Sequence, residues 1–148
     1  MGDIDRAFGL LEEIRSRKMT PSIVVFTCLS QICVKHQMPQ DLLWIFDQAN
    51  RAINIDAIFV KIILQGLVGL NALNEAVCVL RDLLQFKRGY LIGEQGNFVL
   101  SHIERMLSTR QSSIDKKLVE CLCNEIRVKG GFKFFKHSLY NSLMRLMY

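Results

Sequence analysis

The sequence predicts an all-α fold, a right-handed α-solenoid of antiparallel helix pairs. Three observations predict it. Half of the 148 residues are hydrophobic, and only two prolines and nine glycines punctuate them, which suits a well-buried chain with little linker. No clear run alternates with the period of two that a half-buried strand needs, whereas apolar residues recur at helical spacing. Helix pairs return every 34 to 35 residues, and one pair cannot bury its apolar face alone, so pairs stack.

The elements follow in order. Residues 3–19 read as a helix with Asp3 or Asp5 as cap, a stripe of Ala7, Leu10, Leu11 and Ile14, and basic residues near its carboxyl end. Thr20-Pro21 punctuates, and Pro21 suits the first turn of the next helix, which places Val25, Leu29, Ile32 and Cys33 on one side. Met38-Pro39 opens a third helix carrying Leu42, Leu43, Ile45, Phe46 and Ala49. Residues 57–70 are a fourth, rich in apolar residues. Asn71 caps a fifth, with Leu73, Ala76, Val77, Leu80, Leu83 and Leu84 inward. A glycine-bearing loop is expected over 87–96, then a helix from Asn97 to Ser108. A seventh helix has a serine cap near Ser112 and ends at Gly130-Gly131. The last helix lies within 132–148.

Ala7, Leu42 and Ala76 fall in one register, spaced 35 and 34 apart, and Phe26 and Val60 are 34 apart. Tyr140 lies 80 residues after Val60, so the later units average 40. One helical-repeat segment is therefore expected over 1–148: a partial repeat at 2–22, repeats at 23–56 and 57–93, an irregular repeat at 94–136 and a partial repeat at 137–148. A final helix with an apolar stripe and nothing after it to pack on is expected of a slice of a longer array.

The formal charge of +5 lies wholly in residues 101–148, which hold nine basic and four acidic residues. Such an end can draw a polyanion or simply form a solvated face. The five cysteines match no disulfide scaffold. Cys121 and Cys123 are two apart, so on a helix they point roughly 200° apart and cannot share a metal. They read as small buried hydrophobes in a reducing compartment. Lys61 and Gln65 interrupt the richest apolar run, which falls short of the ~20 residues a bilayer span needs. Gly2 is followed by Arg6 where a myristoylation signal wants Ser or Thr. No targeting segment is visible.

No catalytic constellation emerges. His36, His102 and His137 have no carboxylate or cysteine nearby at metal spacing, and no nucleophile elbow, phosphate loop or dinucleotide fingerprint occurs. No enzyme activity, cofactor or metal is expected. Phe132, Phe134 and Phe135 with Lys133 and Lys136 interleave rings and charge as nucleic-acid binders do; the same pattern also describes a helix core with lysines outward.

The stretches "TPSIVVFTCLSQICVK" and "HSLYNSLMRLMY" place an aromatic residue (Phe26, Tyr140) before a polar one (Thr27, Asn141), with Leu29 and Leu143 two residues further on. With "GDIDRAFGLLEEIRSRKMTPS" as the second half of a unit, the chain resembles the pentatricopeptide repeats. The resemblance covers residues 2–86 and 137–148; residues 87–136 share only the helix-pair organisation. Tetratricopeptide repeats have the same period but want a tryptophan on the first helix, and the single tryptophan, Trp44, is on a second helix.

The resemblance implies an organellar RNA-binding protein, mitochondrial or chloroplast, that holds single-stranded RNA on a concave face in processing, stability or translation. It implies one base between adjacent repeats, read by the polar residue after the aromatic one and by the last residue of the repeat. Carried onto this chain, Thr27 and Asp56 are the reading pair, in a combination resembling one that favours guanine, and Val24 and Ile58 sandwich the base. Asp56 has a second reading, as the cap of the helix beginning at Ala57. Lys61 departs from the pattern: a lysine accepts no hydrogen bond and suits a phosphate instead. Asn141 is a further reading residue. The neutral first hundred residues and Lys61 support an alternative, a protein-binding scaffold subunit of a large organellar complex such as a mitochondrial ribosome.

Overall fold

The structure is a computed structural model that describes residues 2–17, 21–109 and 114–148. Among these residues all regular structure is helical, with no strand: α1 (Gly2–Ser16), α2 (Ile23–Lys35), α3 (Pro39–Ala52), α4 (Ala57–Gly69), α5 (Leu73–Gln85), α6 (Gln95–Ser108), α7 (Lys116–Val128) and α8 (His137–Met147). Single 3-10 turns stand at Gly89–Leu91 and Gly131–Lys133. The all-α expectation therefore holds. The chain divides into two compact units, Met1–Leu70 and Asn71–Tyr148; this border falls inside the expected 57–93 repeat.

In unit 1, α2 touches α1, α3 and α4, and α3 touches α4. The Phe8 and Trp44 rings, 5.9 Å apart, link α1 to α3. The core is Phe26, Leu29 and Cys33 of α2, Leu42, Ile45, Phe46 and Ala49 of α3, and Phe59, Val60, Ile63, Leu64 and Leu67 of α4. Phe46 and Phe59 lie nearly parallel, with centroids 6.4 Å apart. α4 buries Phe59, Val60, Ile63, Leu64, Gly66 and Leu67 and meets both α2 and α3, which accords with its apolar richness. Gly66 makes that approach possible: a Cβ there would stand 2.6 Å from Val34 Cγ2 and 3.1 Å from Leu42 Cδ2.

In unit 2, α5 touches α6 and α7, α6 touches α8, and α7 touches α8. All six α5 positions expected in the core are buried. Two asparagines pin the starts of later helices. Asn74 Oδ1 accepts from the Asp115 N–H, and Asn97 Oδ1 from the Lys136 N–H, both at 2.8 Å. Asp115 and Lys136 are the N-cap residues of α7 and α8. Each pin satisfies an N-cap N–H that the helix itself leaves without a partner.

Several expectations need correction. Asp3 and Asp5 lie inside α1 and cannot be its N-cap, and Leu10 is exposed. Pro21 lies before α2, whose cap is Ser22; its hydroxyl oxygen accepts from the Val25 N–H. The α2 core stripe is Phe26, Leu29, Ser30 and Cys33, with Val25 and Ile32 only half-buried. Ser30 tolerates burial because its hydroxyl donates to the Phe26 carbonyl at 2.8 Å. Asn71 caps nothing at α5; it takes φ +60° and turns the chain after α4. Asp115 caps α7, accepting from the Lys117 N–H at 2.9 Å. The Ile14 side chain, Thr20, Ser112 and Ser113 lie outside the described residues and side chains. The loop at 87–96 contains a 3-10 turn and the first residues of α6, and the phenylalanines at 132–135 precede α8 instead of forming its core.

Gln37, Asn71 and Lys87 hold left-handed φ of 57°, 60° and 59° without being glycine, and Gly130 has φ +68° after α7. At α2 the Met38 N–H reaches Cys33 O at 2.9 Å and the Gln37 N–H reaches Val34 O at 3.2 Å, the Schellman pattern that normally carries glycine. Gln37→Gly is therefore expected to stabilise the chain by about 0.5–1 kcal/mol, read as a higher midpoint in urea unfolding.

Candidate nucleic-acid interface

The residues singled out in the sequence divide between the units. In unit 1, Val24 and Ile58 occupy matching first-turn positions of α2 and α4 and are 65% and 68% exposed. Phe26 and Val60, two residues further on, point the other way and are buried. The helical period thus separates a core stripe from an outward stripe. Thr27 is half-buried and Lys61 exposed on that outward stripe. Thr27 donates its hydroxyl hydrogen to the Ile23 carbonyl at 2.7 Å, so toward a ligand its oxygen is an acceptor. Asp56 is the N-cap of α4: Oδ1 accepts from the Phe59 N–H at 2.8 Å. Its capping role is thus present in the structure, and as a carboxylate it too offers only acceptors.

Extending the 34-residue register one helical turn adds Gln31 and Gln65, both exposed. They flank a groove of about 300 Å³ between α2 and α4, lined also by Val34, Ile62 and Gly66. The Gly66 approach sets its floor. Sequence reading misses this pair, although the register that links Thr27 to Lys61 also links Gln31 to Gln65.

In unit 2, Asn141 is exposed on α8. A 40-residue register pairs it with Ser101 of α6, pairs Ser138 with Phe98, and pairs Arg145 with Arg105. All six are exposed, and α6 packs against α8. The Phe98 ring meets the His102 ring edge-on at 4.7 Å. Burial, then the nearby Arg105, hold the His102 imidazole below its ordinary value, which favours a neutral ring at neutral pH. Sequence reading also misses Ser101, Phe98, Arg105 and Arg145, although the 40-residue average spacing of the later units links Ser101 to Asn141 and Arg105 to Arg145.

Unit 1 holds seven basic and seven acidic residues, whereas unit 2 holds twelve and seven, so the whole +5 belongs to unit 2. Where unit 1 presents Gln31 and Gln65, unit 2 presents two arginines at the corresponding helical turn. Arginine pairs with phosphate and stacks on bases; glutamine offers a neutral donor and acceptor.

Burial, with a contribution from Asp41, pushes the Cys33 thiol up to about 11. Burial and Glu120 do the same for Cys123. Both are protonated at neutral pH, and the thiol form is neither a good nucleophile nor a metal ligand. Among the described residues no group of three or more His, Cys, Asp or Glu side chains is placed to hold a metal ion. No helix among them is long and apolar enough to cross a membrane. No protein-family model matches this chain, and neither a curated protein nor a solved structure matches it.

Proposed function

We propose that this chain is a segment of an RNA-binding helical-repeat protein, holding organellar single-stranded RNA along the outward stripes of alternate helices. The carrying observation is the pair Val24 and Ile58. Two branched apolar side chains, 34 residues apart, are kept in water at equivalent places on touching helices. An exposed branched side chain gains nothing from folding, but a pair of them is suited to sandwich a base, and base stacking contributes roughly 1–3 kcal/mol. Thr27 and Asp56 present acceptors, and guanine carries two donors on its Watson–Crick edge, so the pair matches guanine among the bases. The next-but-one contacts α2 with α4, α5 with α7 and α6 with α8 suit the members of a two-layered solenoid. The resemblance to pentatricopeptide repeats points the same way.

The neutrality of unit 1 favours a second reading, a scaffold that binds protein. Fluorescence anisotropy of the full chain with single-stranded RNA separates the two. Binding is expected at about 50 mM salt and is expected to weaken steeply by 200 mM. Val24→Ala with Ile58→Ala is expected to cost about ten-fold in affinity without changing thermal stability, since both side chains are exposed. Arg105→Gln with Arg145→Gln is expected to flatten the salt dependence, by about 0.7 in slope for each phosphate no longer neutralised. An RNA affinity indifferent to all four changes, or none at low salt, would reject the proposal in favour of the scaffold.

A further inference from the structure

We infer that unit 2 carries a second binding site, a nucleotide-phosphate cleft at the turns that follow α5 and α7. It is separate from the helix faces described above and does not rest on how they are read. The cleft encloses about 330 Å³, at the lower end of the ~300–1,000 Å³ that small-ligand pockets occupy.

Three lysines ring it: Lys87 from the turn after α5, and Lys129 and Lys133 from the turn after α7. Among the described residues no carboxylate lines it and no ion pair engages any of the three. Three lysines at one opening give it a positively charged lining, which an anion complements. The dipole of a helix C-terminus accounts for a lysine at each helix end, Lys87 and Lys129. It does not account for Lys133, which lies a further turn along the chain. Nor does it account for Tyr90, a large ring on the cleft wall that is 69% exposed. Lysine ammonium groups with an open aromatic ring match a ligand that joins a phosphate to a flat base.

The walls are set before a ligand arrives. The Arg88 N–H reaches Leu83 O at 2.7 Å and closes the turn carrying Lys87. The two turns meet where Phe134 covers Gly89, at which a Cβ would stand 2.5 Å from Phe134 Cε2. That contact brings Lys87 and Lys133, 46 residues apart, to one opening. Preformed walls lower the ordering cost of binding.

The test uses the full chain at low salt with three probes: inorganic phosphate, a nucleoside monophosphate and a short single-stranded oligonucleotide. Shifts of the Gly89 and Gly130 amide resonances report occupancy. The nucleotide is expected to bind more tightly than phosphate. Lys129→Gln with Lys133→Gln is expected to weaken every probe at this site by about ten-fold or more. Tyr90→Ala is expected to weaken the nucleotide about ten-fold and leave phosphate unchanged, while Tyr90→Phe restores the nucleotide. The three substituted side chains are exposed, so helical content and melting temperature check that the fold is intact. Shifts from the monophosphate assign a free nucleotide as ligand; shifts from the oligonucleotide alone assign a nucleotide within a strand. Either outcome supports the site. No shift at either glycine with any nucleotide probe, or affinities indifferent to the lysine pair, overturns it. Because Val24 and Ile58 lie outside this cleft, their variants leave its readout untouched, and the two proposals fail separately.

Discussion

Phe46→Ala is expected to lower stability by about 3–5 kcal/mol, the range for deleting a fully buried phenylalanine. Phe46 is inaccessible to solvent, and its ring stacks on Phe59 across α3 and α4. Removal leaves a ring-sized void among neighbours that relax only partly. It also forfeits the aromatic pairing, about 0.5–1.5 kcal/mol beyond area burial. Such a loss is a large share of the ~5–15 kcal/mol that holds an ordinary domain folded. For a chain of this size it corresponds to a fall in Tm on the order of 10 °C. Phe46→Leu keeps most of the volume and is expected to cost clearly less. Thermal and urea unfolding followed by circular dichroism decide the matter. A Phe46→Ala protein within about 1 kcal/mol of wild type would mean that the Phe46–Phe59 contact does not organise unit 1. A double-mutant cycle with Phe59→Ala isolates the ring pair, with an expected coupling of about 0.5–1.5 kcal/mol.

Gly131→Ala is expected to cost about 1–3 kcal/mol and to exceed the cost of Gly130→Ala. Positive φ alone ranks these neighbours the other way. Gly130 has φ +68°, yet a Cβ there meets nothing within 4 Å, so alanine costs only the left-handed backbone, about 1–2 kcal/mol at most. At Gly131 a Cβ would stand 2.9 Å from the Ile126 Cα and 3.2 Å from its carbonyl oxygen. A side chain can change rotamer, but backbone in the last turns of α7 has no such freedom. The turn at Gly131–Lys133 must move, and with it the Lys136 N–H that binds Asn97. Chemical denaturation of the two variants side by side tests the order. Equal costs, or a larger one at Gly130, would show that the turn after α7 is looser than the packing indicates.

Much of the fold is legible in the residues. The α5 stripe can be read except for Val79, which is buried as well, because its other apolar positions follow one helical face. The end of α7 is legible in Gly130-Gly131. The α2 stripe is read one position out of phase because "IVVF" is apolar throughout, so local periodicity leaves its phase open. Only the packing of α2 on its neighbouring helices selects Phe26, and the hydrogen bond of Ser30 to the Phe26 carbonyl admits a hydroxyl to the core. Asn71 is ambiguous in the sequence because asparagine serves equally as an N-cap and as a left-handed turn residue, and the chain direction after Gly69 decides between them.

By itself, the sequence determined the helical class, most helix positions, the 34-residue register of the first half and the concentration of positive charge toward the carboxyl end. These rest on local spacing and composition, which act within a few turns of chain. Tertiary structure alone decided which exposed residues share a face and which turns meet. Gln31 and Gln65 come to one groove because Gly66 lets two helices close. Asn74 and Asn97 act across 41 and 39 residues to hold later helix starts. The three lysines gather at one opening because Phe134 lies on Gly89. Such contacts depend on close approach between segments distant in the chain, and no local period records them.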